Sequence, residues 1–162
     1  MSPFPLRDAW RCDASFAIMR AHENSDTAGA DVRDVYIVGV GQTPVSKATE
    51  VRGRHRAAAA VKAALADAGI EPERVGALYV GNMMSGLLAN QQQLGGLIAD
   101  YAGLDGIEAL TVEAACASGG AAARVGYLAV AGGAHEVVVV CGLERMTHVD
   151  RDTVTRALAT AA

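Results

Sequence analysis

Four short apolar runs, at residues 35–40, 77–80, 109–112 and 136–141, alternate with stretches of helical periodicity. A continuous apolar run bounded by turn residues fits a strand buried on both faces, as in a parallel sheet. The first is Val35-Tyr36-Ile37-Val38-Gly39-Val40; the second ends at Gly81 and the fourth at Gly142. After a loop carrying Thr43-Pro44 and the basic Arg52-Gly53-Arg54-His55-Arg56, residues 57–68 set Ala57, Ala60, Val61, Ala64, Leu65 and Ala68 on one helical face, with Lys62 and Asp67 off it. Gly69 caps that helix and Pro72 forbids its continuation. Leu94, Leu97, Ile98 and Tyr101 mark a second helix over 91–101, and Gly103 ends it. Residues 117–131 are apolar on nearly every face, which predicts a helix inside the protein. The order β-α-β-α-β-α-β with short connections implies an α/β fold, a mostly parallel sheet covered by helices through right-handed crossovers.

Composition agrees with such packed layers. Half of the 162 residues are hydrophobic but only 4% are aromatic, so Ala, Val and Leu must fill the interior. The length suits one domain with a real core. Residues 1–33 differ from the rest: they mix Pro3, Pro5, charges and the polar His22-Glu23-Asn24-Ser25-Asp26-Thr27, without sustained periodicity. They are expected to be a disordered or loosely attached leader, with 34–162 as the domain and Met19 as an alternative start. The first 18 residues lack the uninterrupted apolar core of a secretory signal, and no run approaches a membrane span. A net charge of −4 gives no electrostatic case for nucleic acid. Cys12, Cys116 and Cys141 form neither a disulfide framework nor a paired metal motif, which suits reduced cytoplasm.

Cys116 is the candidate nucleophile. It stands where the run 109–112 ends and the small-residue helix begins, within Val112-Glu113-Ala114-Ala115-Cys116-Ala117-Ser118-Gly119-Gly120. Helix-start amides and the positive end of the macrodipole favour an anion there, so a thiol at this point is expected to ionise readily. Gly119 and Gly120 let a backbone or a ligand come close. In parallel sheets, sites form beyond the carboxyl ends of the strands. Cys116, the Met83-Met84 loop and the segment 143–148 converge on that edge.

Other signals are weaker. Gly39-Val40-Gly41 hints at a dinucleotide fingerprint, but Pro44 takes the third glycine position and no helix begins there. The Arg52–Arg56 cluster is a candidate contact for a phosphate-bearing ligand or a solvated loop, and it loads a helix start with charge that opposes the dipole. Cys141 ends a buried strand and reads as core. His148, after the fourth run, is a candidate base or an ordinary loop histidine; no residue is placed by sequence alone to serve Cys116 in acid–base steps.

Several stretches resemble, in order, the amino-terminal half of a thiolase of the sterol-carrier-protein-like, archaeal and actinobacterial type. They are Val35-Tyr36-Ile37-Val38-Gly39-Val40-Gly41-Gln42-Thr43-Pro44, Ala64-Leu65-Ala66-Asp67-Ala68-Gly69-Ile70, Val80-Gly81-Asn82-Met83, the Cys116 segment, and Cys141-Gly142-Leu143-Glu144-Arg145-Met146-Thr147. The resemblance implies a thiolase-like layered α/β/α fold. It implies an acyltransferase in which Cys116 accepts an acyl group from acyl-CoA as a thioester, for Claisen condensation or thiolysis of a 3-ketoacyl-CoA. Coenzyme A thioester is then substrate, and neither a cofactor nor a metal is expected. Thiolases are over twice this length, and their carboxyl half supplies the activating histidine, usually in Gly-His-Pro-x-Gly, which does not occur here. The chain is therefore expected to be an incomplete first half, acting in a homo-oligomer or with a complementary thiolase subunit. A non-catalytic fragment that binds another subunit and a ketoacyl-synthase-like condensing enzyme are the alternatives; Gly-Leu-Glu-Arg-Met favours thiolase over the last.

Overall fold

A computed structural model of the chain describes residues 12–22, 33–45 and 51–161. Five strands form one sheet in the order β2-β1-β5-β3-β4: β1 (Cys12–His22), β2 (Asp34–Pro44), β3 (Ala77–Gly81), β4 (Glu108–Val112) and β5 (Val137–Leu143). Strand β3 pairs in parallel with β4 and β5, whereas β1 runs antiparallel to both of its neighbours, β2 and β5. Four strands thus share one direction, and the mostly parallel sheet holds. Helices α1 (Gly53–Ala68) and α3 (Leu94–Ala102) pack over a core cluster on one face. Helix α4 (Ser118–Ala131) packs over a second cluster that includes Tyr79, Val138 and Val140. The three layers are those of an α/β/α fold. Short helices α2 (Ser85–Ala89) and α5 (Arg151–Leu158) flank the carboxyl edge. No helix among the described residues is long and apolar enough to cross a membrane.

The leader departs from expectation. Residues 12–22 are not loosely attached: they form β1, between β2 and β5, with Ala17 opposite both Val40 and Val140. Ile18 and Met19 are buried on opposite faces of the sheet. The polar stretch at 22–27 follows a short apolar run, Phe16-Ala17-Ile18-Met19, and hides it. The rest of 1–33, apart from Arg33, lies outside the described residues. Strand β2 is consequently not a strand buried on both faces but an edge strand, with Tyr36, Ile37, Val38 and Val40 exposed. It also runs on through Thr43-Pro44, which the sequence placed in a loop.

Gly39 and Gly41 owe their place to packing, not to a nucleotide. A Cβ on Gly41 would lie 2.5 Å from the Ala64 amide nitrogen of α1, and one on Gly39 would lie 2.6 Å from the Ala64 carbonyl oxygen. Asp67, off the apolar stripe, accepts a hydrogen bond from the Val40 amide at 2.9 Å. Helix α1 begins at Gly53 rather than 57, so Arg54, His55 and Arg56 form its first turn. Gly69 ends it at φ 62°, as its C-cap role requires. Helix α4 is not enclosed. Ser118, Ala122, Gly126, Val130 and Ala131 face the sheet and are buried, while Tyr127 and Leu128 on the outer side are exposed.

At the opposite, amino-terminal edge of the parallel strands, His135 Nε2 lies 3.0 Å from Glu108 Oε2. That hydrogen bond, more than any other cause, holds the Glu108 carboxyl below its ordinary value. Burial, with the Glu108 carboxylate adding to it, pushes the Tyr79 hydroxyl up to about 12.

Two outcomes are expected. A chain begun at Met19 lacks residues 12–18 of β1 and keeps only the Met19 and Arg20 pairings with β5; urea denaturation followed by circular dichroism should lose its cooperative transition, and an unchanged midpoint would contradict the placement of β1. The Glu108 contribution is present above its unfolded carboxylate value and is lost as pH falls through the lower folded value. The urea midpoint of the unmodified chain should therefore exceed that of Glu108→Gln at neutral pH, and the difference should close as the pH drops below about 4.

Candidate active site

Strands β3, β4 and β5 end at Gly81, Val112 and Leu143, side by side, and everything of chemical interest follows from those three ends. After β4, the backbone makes a tight 3₁₀ turn over Ala115–Ala117 and then enters α4 at Ser118. Cys116 sits in the middle of that turn and is exposed. Ala115, immediately before it, has φ 49°, a left-handed conformation that costs a residue with a Cβ about 1–3 kcal/mol.

The turn persists because its neighbours hold it. The Ala115 amide donates to Glu113 Oε1 at 2.5 Å, and the Ala114 amide donates to Ser118 Oγ at 2.9 Å. The buried Ser118 hydroxyl in turn donates to the Ala115 carbonyl at 2.7 Å. Beneath it, Gly81 allows β3 to touch the start of α4; a Cβ there would be 2.5 Å from the Ser118 carbonyl oxygen. On the outer side, Cβ atoms added at Gly119 or Gly120 would meet nothing within 4 Å, so the approach to the helix start is open. One expectation needs adjusting. The Ala117 and Ser118 amides are not free for an anion, since they donate to the Ala114 and Ala115 carbonyls within the turn.

The other two converging stretches are physically locked together. Asn82, buried at the end of β3, donates through Nδ2 to the Leu143 carbonyl at 2.6 Å and to Glu144 Oε1 at 3.1 Å. Its Oδ1 accepts from the Ser85 amide at 2.9 Å. Glu144 Oε2 accepts from the Met83 and Met84 amides, each at 3.1 Å. Gly-Asn-Met and Gly-Leu-Glu-Arg-Met thus form one clamp across the ends of β3 and β5. The sequence placed these motifs on one edge, but not the bonds between them.

The remaining candidates separate. Cys141 is fully buried in β5, and burial pushes its thiol well above the ordinary value, so it is core. His148 Nε2 donates to the Leu88 carbonyl at 2.9 Å and borders a cavity that Cys116 does not line. His55 packs edge-on against Tyr101, and His135 pairs with Glu108. No described histidine is placed to serve Cys116. Glu113 and Ser118, which shape the turn, were missed; the serine two residues beyond the cysteine was the available signal.

A family model described as "Thiolase, N-terminal domain" matches residues 35–161. An acetyl-CoA acetyltransferase of Methanothermobacter thermautotrophicus is 46% identical over 131 residues, covering 81% of this chain and 34% of the relative. An acetyl-CoA acetyltransferase of Methanocaldococcus jannaschii is 45% identical over 118 residues, with 73% and 30% covered. The benzoylsuccinyl-CoA thiolase subunit BbsB of Thauera aromatica is 36% identical over 133 residues, with 80% and 32% covered. The chain spans about a third of the length of these relatives. Strand β1 lies ahead of the matched region.

Replacing Asn82 by Ala strands the Leu143 carbonyl and the Ser85 amide and removes a donor from Glu144. A loss of about 2–3 kcal/mol of stability is expected in urea denaturation. A loss well under 1 kcal/mol would mean that the clamp does not hold the two strand ends.

Proposed function

Because the chain belongs to the thiolase family, we propose that it forms the nucleophilic part of a thiolase-type acyl-CoA acyltransferase, with Cys116 as the acyl acceptor. The observation that carries this reading is the exposed Cys116 on a strained, pinned turn between β4 and α4, at the carboxyl edge of the parallel strands. A nucleophile needs access and a fixed direction of attack, and the bonds from Glu113 and Ser118 supply the second. The names of the relatives support acyl-CoA as the substrate class.

In the proposed step the Cys116 sulfur attacks the thioester carbonyl carbon of acyl-CoA. A carbon–sulfur bond forms to Cys116, the bond to the coenzyme sulfur breaks, and coenzyme A leaves as the thiol with the proton that Cys116 gave up. Claisen condensation with a second acyl-CoA, or the reverse thiolysis of a 3-ketoacyl-CoA, completes the cycle and needs an acid–base group. No described residue is placed to supply that group to Cys116.

A second reading, association without catalysis, draws on a different observation. Edge strand β4 and the outer side of α4 present Leu110, Tyr127 and Leu128 to solvent. An apolar patch next to an unpaired strand edge is a surface for another chain.

Incubation of the purified chain with acetyl-CoA should add one acetyl group by intact mass. The adduct should vanish in Cys116→Ser and persist in Cys141→Ser. An adduct of equal yield in Cys116→Ser would overturn the assignment. No adduct, on a folded chain that elutes with a complementary subunit, would favour association alone.

A further inference from the structure

Two side chains hold the turn around Cys116, and they are not equivalent. Glu113 accepts the Ala115 amide through Oε1, but it lies at the surface, where water can take over that bond. Ser118 is only 5% exposed, and its one side-chain oxygen is engaged twice. It accepts from the Ala114 amide at 2.9 Å and donates to the Ala115 carbonyl at 2.7 Å. Bonds shielded from water are the stronger ones, and nothing readily replaces them.

The two groups that meet at that oxygen lie on either side of the Ala115 φ angle, which is 49°. Turning Ala115 to an ordinary negative φ swings its carbonyl away from the Ala114 amide, and a single hydroxyl then no longer reaches both. Alanine does not adopt the left-handed form unaided, because its Cβ crowds the backbone oxygen. The Ser118 amide also donates to the Ala115 carbonyl, so main chain and side chain of one residue close on the same peptide.

Ser118 is itself fixed. Its carbonyl oxygen would lie 2.5 Å from a Cβ on Gly81, so the hydroxyl is carried by a helix start seated directly on β3. It is also remote from an incoming molecule. The open side of the helix start is at Gly119 and Gly120, where an added Cβ meets nothing within 4 Å, whereas Ser118 faces inward.

We infer that Ser118 is a positioning residue for the nucleophile: its hydroxyl keeps Ala115 left-handed and thereby sets how the next residue, Cys116, meets a thioester. The inference rests on the reading of Cys116 as the acyl acceptor. It assigns the hold on the strained residue to Ser118 rather than to Glu113, and it predicts that the hydroxyl matters only while residue 115 is strained.

Full-length variants test this through acetylation of Cys116 by acetyl-CoA, alkylation by iodoacetamide, both read by intact mass, and amide hydrogen exchange by NMR. Acetylation of Ser118→Ala should slow by about ten- to a hundredfold, the range that a misplaced reacting group costs. The loss should fall on the rate at saturating acetyl-CoA, not on the concentration that half-saturates, because Ser118 does not touch the ligand. Alkylation should stay within about twofold, since a small reagent reaches the exposed thiol from many directions. Adding Ala115→Gly to Ser118→Ala should restore most of the acetylation rate, because glycine takes the left-handed form without strain. The loss in Glu113→Gln should be the smaller one. Parent-like acetylation of Ser118→Ala, no recovery on adding Ala115→Gly, or an equal loss in Glu113→Gln overturns the assignment. Should Ser118→Ala not fold, the double variant carries the test alone: near-parent acetylation supports the inference and slow acetylation refutes it. An unmodified chain that is alkylated but takes no acetyl group defeats the acyl-acceptor reading, and amide exchange then judges Ser118 separately. Faster exchange at Ala114 and Ala115 in Ser118→Ala supports its hold on the turn, and unchanged exchange refutes it.

Discussion

Direct contact between helix backbone and strand backbone sets the dimensions of this structure. With so few aromatic side chains available, the layers are spaced by glycine and alanine. Gly41 lies against Ala60 and Ala64 of α1, Gly95 of α3 against the backbone of Leu110, Gly81 against the start of α4, and Gly126 of α4 against Val140. The contacts at Gly41, Gly81 and Gly95 bring two main chains closer than any other residue allows, and Gly126 admits the Val140 side chain; together they fix how the helices sit on the sheet. A methyl group at any of these points pushes a whole helix, because the atoms it meets are backbone or a branched core side chain rather than the end of a flexible one.

The reactive edge inherits its precision from that packing. Gly81 seats the first turn of α4 on the end of β3, and Ser118 fastens the same turn from above. The strained Ala115 is therefore held between two fixed bodies, and its strain is directed at Cys116. One strand away, Asn82 and Glu144 tie the ends of β3 and β5 into a single rigid lip. Asn82, Glu144 and the amides of Met83, Met84 and Ser85 satisfy one another at this lip, while the Cys116 thiol is exposed.

Much of this was legible in the sequence because periodicity reports burial. The runs at 77–80, 109–112 and 136–141 correspond to β3, β4 and β5, the stripe ending at Ala68 to α1, and the strand-to-helix junction to the placement of Cys116. What escaped was non-local. Continuous apolarity at 35–40 cannot distinguish a strand enclosed by neighbours from an edge strand covered on part of its surface, and β2 is the latter. Residues 12–22 gain their stability from a partner far along the chain, so their own pattern said little. The bond from the Asn82 amide to Glu144 joins positions with no local relation, and the reach of Arg54 to Tyr101 is likewise invisible before the helices are packed.

The position of β1 also has a consequence for the order in which the molecule can be built. Among the described strands it comes first in sequence, and it needs β5, the last of them, to complete its pairing. Until then only the hairpin with β2 is available, and one side of β1 remains an open row of backbone donors and acceptors. Assembly of the sheet therefore waits on its most distant contact, the topology associated with slow folding and with exposure of partly built intermediates. A chain whose matched family region starts at residue 35 thus relies, for the middle of its sheet, on a segment that lies before it.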